Sequence, residues 1–534
     1  MIDGGGITFA ELRRQARDLS DFLRERGINK GDRVAILGEN MPNWGVAYFA
    51  VTRMGAVAVP ILTDFHPTDI ARIIRHAGAK ALFVSRRLIN KTSELGPGEL
   101  ELSVLLDDLT ILQPGVTESE LSESRSSRAV ASPSTGTRHL PRDEDATRPA
   151  PDDLAAIVYT SGTTGHSKGV MLTHGNLVSD ATATVVLVNV NKDDRFLSIL
   201  PLPHTYECTL GFITAVMVGA SVYYMDKPPS AAVLLPAMEK VKPTAMLSVP
   251  LIIEKIYKGK ILPELTRSPI LKRLHAQPLF RKILHRIAGK KLLKTFGGRL
   301  RIFTIGGAPL APDVEQFLRE GHFPYAVGYG LTETAPLVAG TGPATTRYRS
   351  TGPPLPGTQI RIFNPSAETG EGEIQIKGPT VMKGYYKDPE RTRETFTEDG
   401  WLKTGDLGVF DNDGYLYIKG RSKNMILGPS GKNIYPEEIE AVINEFDSVQ
   451  ESLVYEQQNR LVALVHMDYE RLQKAVQSFG ETDFRALLNA KLAELHKEIN
   501  ERVPLYARVH KIIEQAEPFQ KTATQKIKRH LYIP

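Results

Sequence analysis

The chain is poor in cysteine, in net charge and in long uncharged runs. Its single cysteine among 534 residues, Cys208, excludes an internal disulfide and any cysteine-rich metal site. The net charge of +5 is small for this length, so nothing in it calls for a nucleic-acid partner. Hydrophobic residues at 41% and charged residues at 24% are ordinary for a soluble globular protein.

Targeting and membrane-spanning signals are also missing. Residues 1–6 lack the basic and apolar regions of a secretory signal, so we expect a cytoplasmic protein. The longest uncharged run, residues 208–225, approaches the length that spans a bilayer. Gly219 and Ala220 divide it, which predicts a buried helix followed by a buried strand.

The length predicts more than one domain, because single hydrophobic cores stop growing at roughly 250–300 residues. Apolar residues in the range 9–23 recur at three- and four-residue spacing, which predicts an amphipathic helix. Short apolar strands at 33–37, 56–60 and 81–84 then alternate with helices. This alternation predicts a doubly wound parallel sheet. Residues 117–153 are rich in Ser, Pro, Thr, Arg and Asp and are expected to form a surface loop.

One stretch has the composition of a phosphate site. After the apolar residues 154–158, the ten residues 160–169 hold five hydroxyls, three glycines and one lysine, which suits a polyphosphate. A Walker-type loop is excluded because Gly169 follows the lysine where Ser or Thr must hold magnesium. A plain surface turn remains the alternative. The candidate phosphate ligands are Thr160, Ser161, Gly162, Thr163, Thr164, Gly165 and Lys168.

Two later segments carry residues suited to a nucleotide. An apolar strand at 301–305 ends in a glycine pair, which permits close approach of a flat ligand. In residues 325–334, Tyr329 can stack on a purine, Thr332 can donate to a phosphate and Glu333 is a hard oxygen ligand for Mg²⁺. The alternative for this second segment is a simple helix start. The glycines and alanine of these segments are Gly307, Ala308, Gly328 and Gly330.

A third segment places Asp406 in a turn between Gly405 and Gly408. A carboxylate there can accept both hydroxyls of a ribose, as acidic residues do at other nucleotide sites. The alternative is that Asp406 only caps a turn. Residues 411–414 already supply a hairpin turn, so we expect Asp406 to be free for the ligand.

These motifs, in this order, resemble those of the adenylate-forming superfamily, which includes acyl-CoA synthetases, luciferases and nonribosomal adenylation domains. The resemblance spans residues 7–529, although Ser167 stands where the family usually has proline. It implies an α/β fold. Residues 1–420 would form a large domain of doubly wound sheets plus a small barrel-like sheet, and residues 421–534 a smaller, mobile α+β domain.

The resemblance also implies a role for each matching residue. Gly307 and Ala308 would line the adenine, Arg421 would contact the ribose and Lys423 would be the hinge about which the small domain turns. Gly431 would leave room for the thiol arm of CoA. The set that acts on the reacting groups would be Lys526, Glu333 and Thr160, with Lys526 bridging the carboxylate and the α-phosphate.

His204 follows a predicted strand, where a lone histidine is often only a turn residue. The resemblance implies that it lines the acyl pocket. The range 248–257 resembles long-chain fatty-acid ligases, although Leu251 stands where those commonly have Arg. The implied activity is AMP-forming activation of a fatty acid with ATP and Mg²⁺, followed by transfer to CoA. The open alternatives are a fatty acyl-AMP ligase or acyl-carrier-protein synthetase, and a non-catalytic acyl- or nucleotide-binding homologue.

The interval 255–301 holds fourteen Lys and Arg residues and a single acidic one, Glu264. Interleaved Leu, Ile and Phe predict basic amphipathic helices. Such helices can rest on an anionic membrane, where each basic residue contributes about 1 kcal/mol. This gives a peripheral contact with the inner membrane face; the alternative is a solvated face over a core. The sequence gives no prediction of oligomeric state.

Overall fold

The protein is described by a computed structural model over most of its length. The described ranges are 5–112, 148–161, 167–225, 231–427, 433–458, 460–473, 484–521 and 527–533. The greater part of the predicted loop at 117–153 lies outside them.

The first part of the chain alternates helices and strands, as predicted. The helices are α1 (Phe9–Glu25), α2 (Pro42–Arg53), α3 (Pro67–Ala77) and α4 (His174–Val188). The strands are β1 (Arg33–Leu37), β2 (Val57–Ile61), β3 (Ala79–Val84), β4 (Leu102–Leu105), β5 (Ile111–Leu112), β6 (Leu154–Ser161) and β7 (Ser167–Thr173). Thr8 and Glu11 start α1 with reciprocal side-chain and backbone hydrogen bonds, which satisfy its first free N–H groups.

The second part also alternates. Its strands are β8 (Arg195–Ser198), β9 (Ser221–Tyr224), β10 (Ala245–Ser248), β11 (Ile302–Ile305) and β12 (Tyr325–Val327). Its helices are α5 (Thr214–Val218), α6 (Ala231–Val241), α7 (Pro250–Ile256), α8 (Leu262–Leu265), α9 (Pro269–His275), α10 (Pro278–Thr295) and α11 (Pro312–Glu320). A π-helix, Tyr206–Ile213, precedes α5, so the uncharged run 208–225 is a helical stretch followed by a strand, as predicted. The strand is only partly buried, because Ser221 is exposed and Val222 and Tyr223 are half-buried, whereas a buried strand was predicted.

The third part is mainly antiparallel. Its elements are β13 (Tyr329–Gly330), β14 (Leu337–Ala339), β15 (Gln359–Phe363), β16 (Gly372–Lys377), β17 (Gly384–Tyr385), α12 (Pro389–Thr395), β18 (Leu402–Phe410) and β19 (Leu416–Arg421). The predicted turn at 411–414 joins β18 to β19, and Asp411 accepts hydrogen bonds from the backbone N–H groups of Asp413 and Tyr415.

Two large sheets form the core of the large domain. The first has the order β17-β7-β6-β2-β1-β3-β4-β5, and the second, all parallel, has the order β12-β11-β10-β8-β9. Along β1, Val34 and Ile36 join a core with α1 and α2, whereas Ala35 and Leu37 join a core with α3. Helices therefore cover both faces of the first sheet, which confirms the doubly wound expectation. The small sheet is four-stranded and antiparallel, β15-β16-β18-β19.

A smaller α+β domain follows. Its elements are β20 (Ile426–Leu427), β21 (Asn433–Ile434), α13 (Pro436–Ile443), β22 (Val449–Gln457), β23 (Arg460–Met467), α14 (Phe484–Arg502) and β24 (Val509–Glu514). Helices α13 and α14 share one hydrophobic core with the sheet β22-β23-β24. This domain contacts the small sheet: Tyr435 donates a 2.8 Å hydrogen bond to Glu371. The boundary at residues 420 and 421 stays a prediction.

The search for membrane-spanning segments was limited to the described residues. Among these, no helix is both long and apolar enough to cross a bilayer.

Candidate active site

The hydroxyl-rich stretch begins at the end of β6 and continues into β7, next to the edge strand β17 of the first sheet. Strands β6 and β7 are antiparallel, with Thr160 opposite Lys168 and Ser161 opposite Ser167. The predicted ligands Gly162, Thr163, Thr164 and Gly165 lie outside the described residues, between these paired positions. This pairing thus brings Thr160 and Lys168 to the base of the predicted phosphate loop.

Lys168 lies in a cluster with Glu333 and Tyr385. Its Nζ donates to the Tyr385 hydroxyl at 3.2 Å, lies 4.7 Å from the centre of that ring and is 3.8 Å from Glu333 Oε1. Tyr385 in turn donates to Glu333 Oε1 at 2.8 Å. The ammonium, the phenol and the carboxylate therefore hold one another at the base of the loop.

Strand pairing builds this cluster from three distant parts of the chain. Short strand β17 pairs with β7, which sets Tyr385 opposite Val170 and next to the Lys168 strand. The backbone N–H of Met382 donates to the carbonyl of Glu333 at 2.9 Å, which ties the Glu333 segment to the same edge. The fold thus fixes the Glu333 backbone before any ligand binds.

The surroundings of Lys168 are rich in positive charge. Burial lowers the pKa of Lys168, Glu333 opposes this, and Arg391, Lys423 and Arg421 lower the pKa further. Groups of like charge gathered at one place favour a bound anion. A polyphosphate bound there would relieve this repulsion. The predicted hinge residue, Lys423, is exposed and close enough to contribute to it.

A second cluster joins Tyr329, Asp406 and Arg421. The buried Tyr329 hydroxyl donates to Asp406 Oδ2 at 2.7 Å, and Arg421 Nε lies 2.7 Å from Asp406 Oδ1. Asp406 lies within β18 and not in the predicted turn, and pairing with β19 sets it directly opposite Arg421, so it has protein partners that the sequence did not predict. Each carboxylate oxygen has two lone pairs, so Asp406 can still accept from a ribose while these donors orient it.

The two clusters are joined by residues 329–333, which also require glycine. A Cβ on Gly330 would lie 1.8 Å from the carbonyl oxygen of Pro336, and one on Gly328 would lie 2.7 Å from the Leu337 side chain. At Gly330, where two backbone segments approach this closely, only glycine fits. Thr332 begins a short 3-10 turn, Thr332–Thr334, which carries Glu333. Thr332 and Glu333 are half-buried.

The predicted adenine wall follows β11. Gly307 and Ala308 are exposed there, and Gly307 has a φ of +87°, a conformation that favours glycine. The ring of Tyr206 lies behind the wall, 3.3 Å from where a Cβ of Gly306 would be. The wall therefore offers an open, backbone-lined surface backed by an aromatic ring.

His204 is the predicted pocket residue. Its Nδ1 accepts a 3.1 Å hydrogen bond from the backbone N–H of Tyr206, and it is half-buried. This bond serves the turn that starts the π-helix. The Tyr206 hydroxyl lies 2.9 Å from Thr304 Oγ1 on β11, so His204 and the adenine-wall strand are joined through one side chain.

The residues present fit one magnesium ion that is shared with a phosphate. Within the described ranges no group of three or more His, Cys, Asp or Glu side chains could hold a metal by itself. Mg²⁺ is usually held by one or two carboxylates together with substrate phosphates. Glu333, beside the base of the phosphate loop, supplies one such carboxylate.

Two predicted residues, Gly431 and Lys526, lie outside the described residues. Lys521 and Ile527, which flank the range that contains Lys526, form an antiparallel bridge. The roles of Gly431 and Lys526 stay predictions.

The sequence reasoning missed Tyr385 and Arg391. Tyr385 stands in a two-residue strand, too short for a periodic signal, and its partners are 52 and 217 positions away. Arg391, in the short helix α12, had only its charge to mark it. The usable signal was Gly384, since a glycine within a strand often marks a close approach of a ligand or another backbone.

Comparison with known proteins identifies the family. The family model for AMP-binding enzymes matches residues 1–386. The chain belongs to the AMP-binding enzyme family. This AMP-binding enzyme is 30% identical over 510 residues to long chain acyl-CoA synthetase 7, peroxisomal, of Arabidopsis thaliana, a match covering 89% of the chain and 70% of the relative. It is also 30% identical to a feruloyl-CoA synthase of an Amycolatopsis species, over 84% of the chain and 80% of that relative.

The fold of this AMP-binding enzyme is shared with solved members. ATP-bound MatB from Rhodopseudomonas palustris superposes with a TM-score of 0.74 and 26% identity, covering 99% of this chain and 93% of that one. The predicted large α/β domain and smaller C-terminal domain are thereby confirmed. By sequence the AMP-binding enzyme groups with CoA ligases of the family, whose named acids range from long-chain to aromatic.

Proposed function

We propose that this enzyme is an AMP-forming acyl-CoA synthetase that activates a fatty acid with ATP and transfers the acyl group to CoA. The observation that carries the proposal is the continuous segment 329–333. Its first residue, Tyr329, donates a hydrogen bond to Asp406. Its last residue, Glu333, accepts one from Tyr385, whose hydroxyl also accepts from Lys168. The four residue steps from Tyr329 to Glu333 span at most about 14 Å, even in a fully extended chain. The two clusters therefore lie within a distance that suits a ribose and its triphosphate.

The two clusters divide the nucleotide between them. Asp406, oriented by Tyr329 and Arg421, would accept the ribose hydroxyls. Lys168 and the neighbouring cations would hold the outer phosphates. Mg²⁺ bound at Glu333 would neutralise phosphate charge. The catalytic contribution of these residues is mainly positioning and charge stabilisation.

The first half-reaction joins a carboxylate oxygen to the α-phosphorus and breaks the bond to the β-phosphate, which releases pyrophosphate. Lys526 would offset the charge of the two anions as they meet. The small domain, residues 421–534, would then turn at Lys423. In the second half-reaction the CoA sulfur attacks the acyl carbon, AMP leaves, and the thiol proton passes to solvent.

A fatty acid is proposed as the substrate for two reasons. The range 248–257 resembles long-chain ligases, and a relative that matches most of the chain is named as a long-chain acyl-CoA synthetase. The feruloyl-CoA relative makes an aromatic acid the second candidate. His204 and Tyr206, on the strand side of the adenine wall, would form part of the acyl pocket.

The decisive test is acid-dependent exchange of radiolabelled pyrophosphate into ATP, measured with short, long and aromatic acids. Thioester formation with CoA is then measured with each acid that supports exchange. We expect exchange and thioester formation with long-chain acids. Exchange without thioester would instead identify an acyl-AMP ligase, and a lack of exchange with every acid would leave a non-catalytic binding protein.

A further inference from the structure

The basic interval exposes an unusual number of large apolar side chains. Sixteen large hydrophobic residues are exposed in the described part of the chain, and five of them fall within residues 270–287. The five and their exposed fractions are Ile270 (73%), Leu279 (70%), Phe280 (46%), Ile283 (50%) and Ile287 (63%). Single exposed apolar residues need no explanation, but a cluster of this kind marks an interaction site.

Helix α10 carries apolar side chains on two faces. Its buried side includes Gly289 and Leu292. On the opposite side Leu279, Ile283 and Ile287 follow one another at four-residue spacing, so they form one row along the helix. A surface helix of a globular protein needs only one apolar stripe. The outer side of α10 is therefore an apolar row, unlike the solvated face that was the alternative to membrane contact.

Basic side chains run beside that row. Lys282, Arg286 and Lys290 are all exposed and also follow at four-residue spacing. On α9, Lys272 and Arg273 are exposed close to Ile270. The surface therefore combines an apolar row with a parallel row of positive charge.

The helix is held firmly with this surface outward. Arg281 makes two hydrogen bonds with Glu320 on α11, at 3.1 and 2.9 Å, and His275 on α9 lies 2.9 Å from His285 between their Nε2 atoms. A Cβ on Gly289 would meet the carbonyl oxygen of Gly321 at 2.3 Å, so α10 packs directly on that backbone. These contacts leave no rotation that would bury the outer row.

We propose that the outer face, defined as Ile270, Leu279, Phe280, Ile283 and Ile287 with Lys272, Arg273, Lys282, Arg286 and Lys290, docks on an anionic lipid bilayer. Its apolar row would enter the boundary between head groups and acyl chains, while its cations would stay among the lipid phosphates. A nucleic acid would match the charge but not the apolar row. A second copy of the chain would bring the same positive charge to the contact, which would repel.

The position of the outer face gives the docking a use. Helix α11, which holds α10 through Glu320, directly follows the wall at Gly307 and Ala308. Docking would thus bring the domain that activates the acid to the bilayer in which a long-chain acid dissolves. The docking itself does not depend on which acid is used.

The test is co-sedimentation with vesicles in the absence of ATP and acid, so that its outcome is independent of the proposed function. Vesicles of phosphatidylcholine with phosphatidylglycerol are compared with vesicles of phosphatidylcholine alone, at low and high salt. We expect binding to the anionic vesicles only, weakened by salt. Leu279→Ser/Ile283→Ser/Ile287→Ser should lower the binding constant at least tenfold. Lys282→Gln/Lys290→Gln should lower it about 25-fold, since each cation adds about fivefold.

The matched control is Val178→Ser/Val186→Ser, because these valines are comparably exposed, at 51% and 71%, on α4. It should bind as the wild type does. The far-UV circular dichroism spectrum and the urea-unfolding midpoint of the triple variant should match those of the wild type, which shows that the variant is folded. Absence of binding at low salt, or equal binding by the triple variant and the control, would overturn the proposal. So would a dimer, measured by light scattering, that the triple variant converts to a monomer without any vesicle binding.

Discussion

The hydroxyl of Tyr385 donates a 2.8 Å hydrogen bond to Oε1 of Glu333. The same hydroxyl accepts from Lys168, so it joins the Glu333 carboxylate to the Lys168 ammonium at the predicted phosphate site. Without this bridge, Glu333 would lose a donor that orients it, while the ring would still lie under the ammonium.

Tyr385→Phe should therefore slow adenylation. A hydrogen bond to a charged group contributes about 1.5–3 kcal/mol, which corresponds to a roughly 10- to 100-fold lower rate of pyrophosphate exchange. The concentration of Mg²⁺ needed for half-maximal exchange should rise as well, because Glu333 is less well oriented. The matched control is Tyr386→Phe, because the hydroxyl of Tyr386 instead donates to the carbonyl of Ala77 at 3.3 Å. Equal rates in Tyr385→Phe and the control would contradict a role for this bridge.

Tyr329→Phe separates the orientation of Asp406 from purine stacking. The substitution keeps the ring but removes the 2.7 Å hydrogen bond to Asp406, which leaves Arg421 as the neighbour that still orients the carboxylate. We expect the KM for ATP to rise roughly tenfold while the KM for the acid stays unchanged. Steady-state kinetics with each substrate varied in turn measures both values.

The control for this variant is Tyr325→Phe. Tyr325 is also buried and also donates to a carboxylate, Glu315, at 3.4 Å, but neither residue belongs to the site. Tyr325→Phe should lower stability without changing the KM for ATP. A similar rise in the KM for ATP in both variants would mean that Tyr329 acts only through the fold.

Much of the fold was predictable because local patterns determine it. The spacing of apolar residues marked α1, and the apolar run at residues 33–37 is β1 with its predicted bounds. Long-range pairing was not predictable. Asp406 was expected to be free, yet the register of β18 and β19 places Arg421 opposite it. That register depends on contacts within the whole small sheet, which no single segment specifies.

Site residues were predictable where they belong to recognisable sequence motifs. Lys168, Glu333, Asp406 and Arg421 stand in recognisable runs, and the structure brings them into two clusters joined by residues 329–333. Tyr385 has no such run. The basic, apolar character of residues 255–301 was predicted, but not which side chains of α10 lie outward, because a helix with apolar residues on two opposite faces has no clear periodic signal.

Lys526→Ala tests the division of the two half-reactions. If Lys526 bridges the carboxylate and the α-phosphate, its removal should abolish pyrophosphate exchange. Thioester formation from supplied acyl-AMP and CoA should remain nearly intact, because that step needs no such bridge. Lys528→Ala, two residues further along, is the control and should support both steps. Equal loss of both half-reactions in Lys526→Ala would count against a domain that turns between them.

Glu207 predicts a pH dependence of stability. Its side chain is buried in the π-helix after His204, its Oε2 has no hydrogen-bond partner, and burial raises the pKa of Glu207 to about 8. The unfolded chain ionises this group near the ordinary pKa of 4.5. The folded state therefore binds a proton that the unfolded state releases. The protonated Glu207 side chain contributes its full share of stability below pH 4.5. As the pH rises to about 8, this contribution falls by about 1.4 kcal/mol per pH unit.

Glu207→Gln removes this titration, because the amide is neutral at every pH and has nearly the same shape. In urea unfolding at pH 5.5 the variant should be more stable than the wild type by only about 1.4 kcal/mol. At pH 8 the variant should be the more stable by a few kcal/mol. Glu264→Gln, at an exposed carboxylate, should follow the wild type at both values. If the stability of the wild type and that of Glu207→Gln change equally with pH, Glu207 is ionised in the folded protein. The buried negative charge would then lie beside Tyr206, where it would repel the carboxylate of the substrate acid.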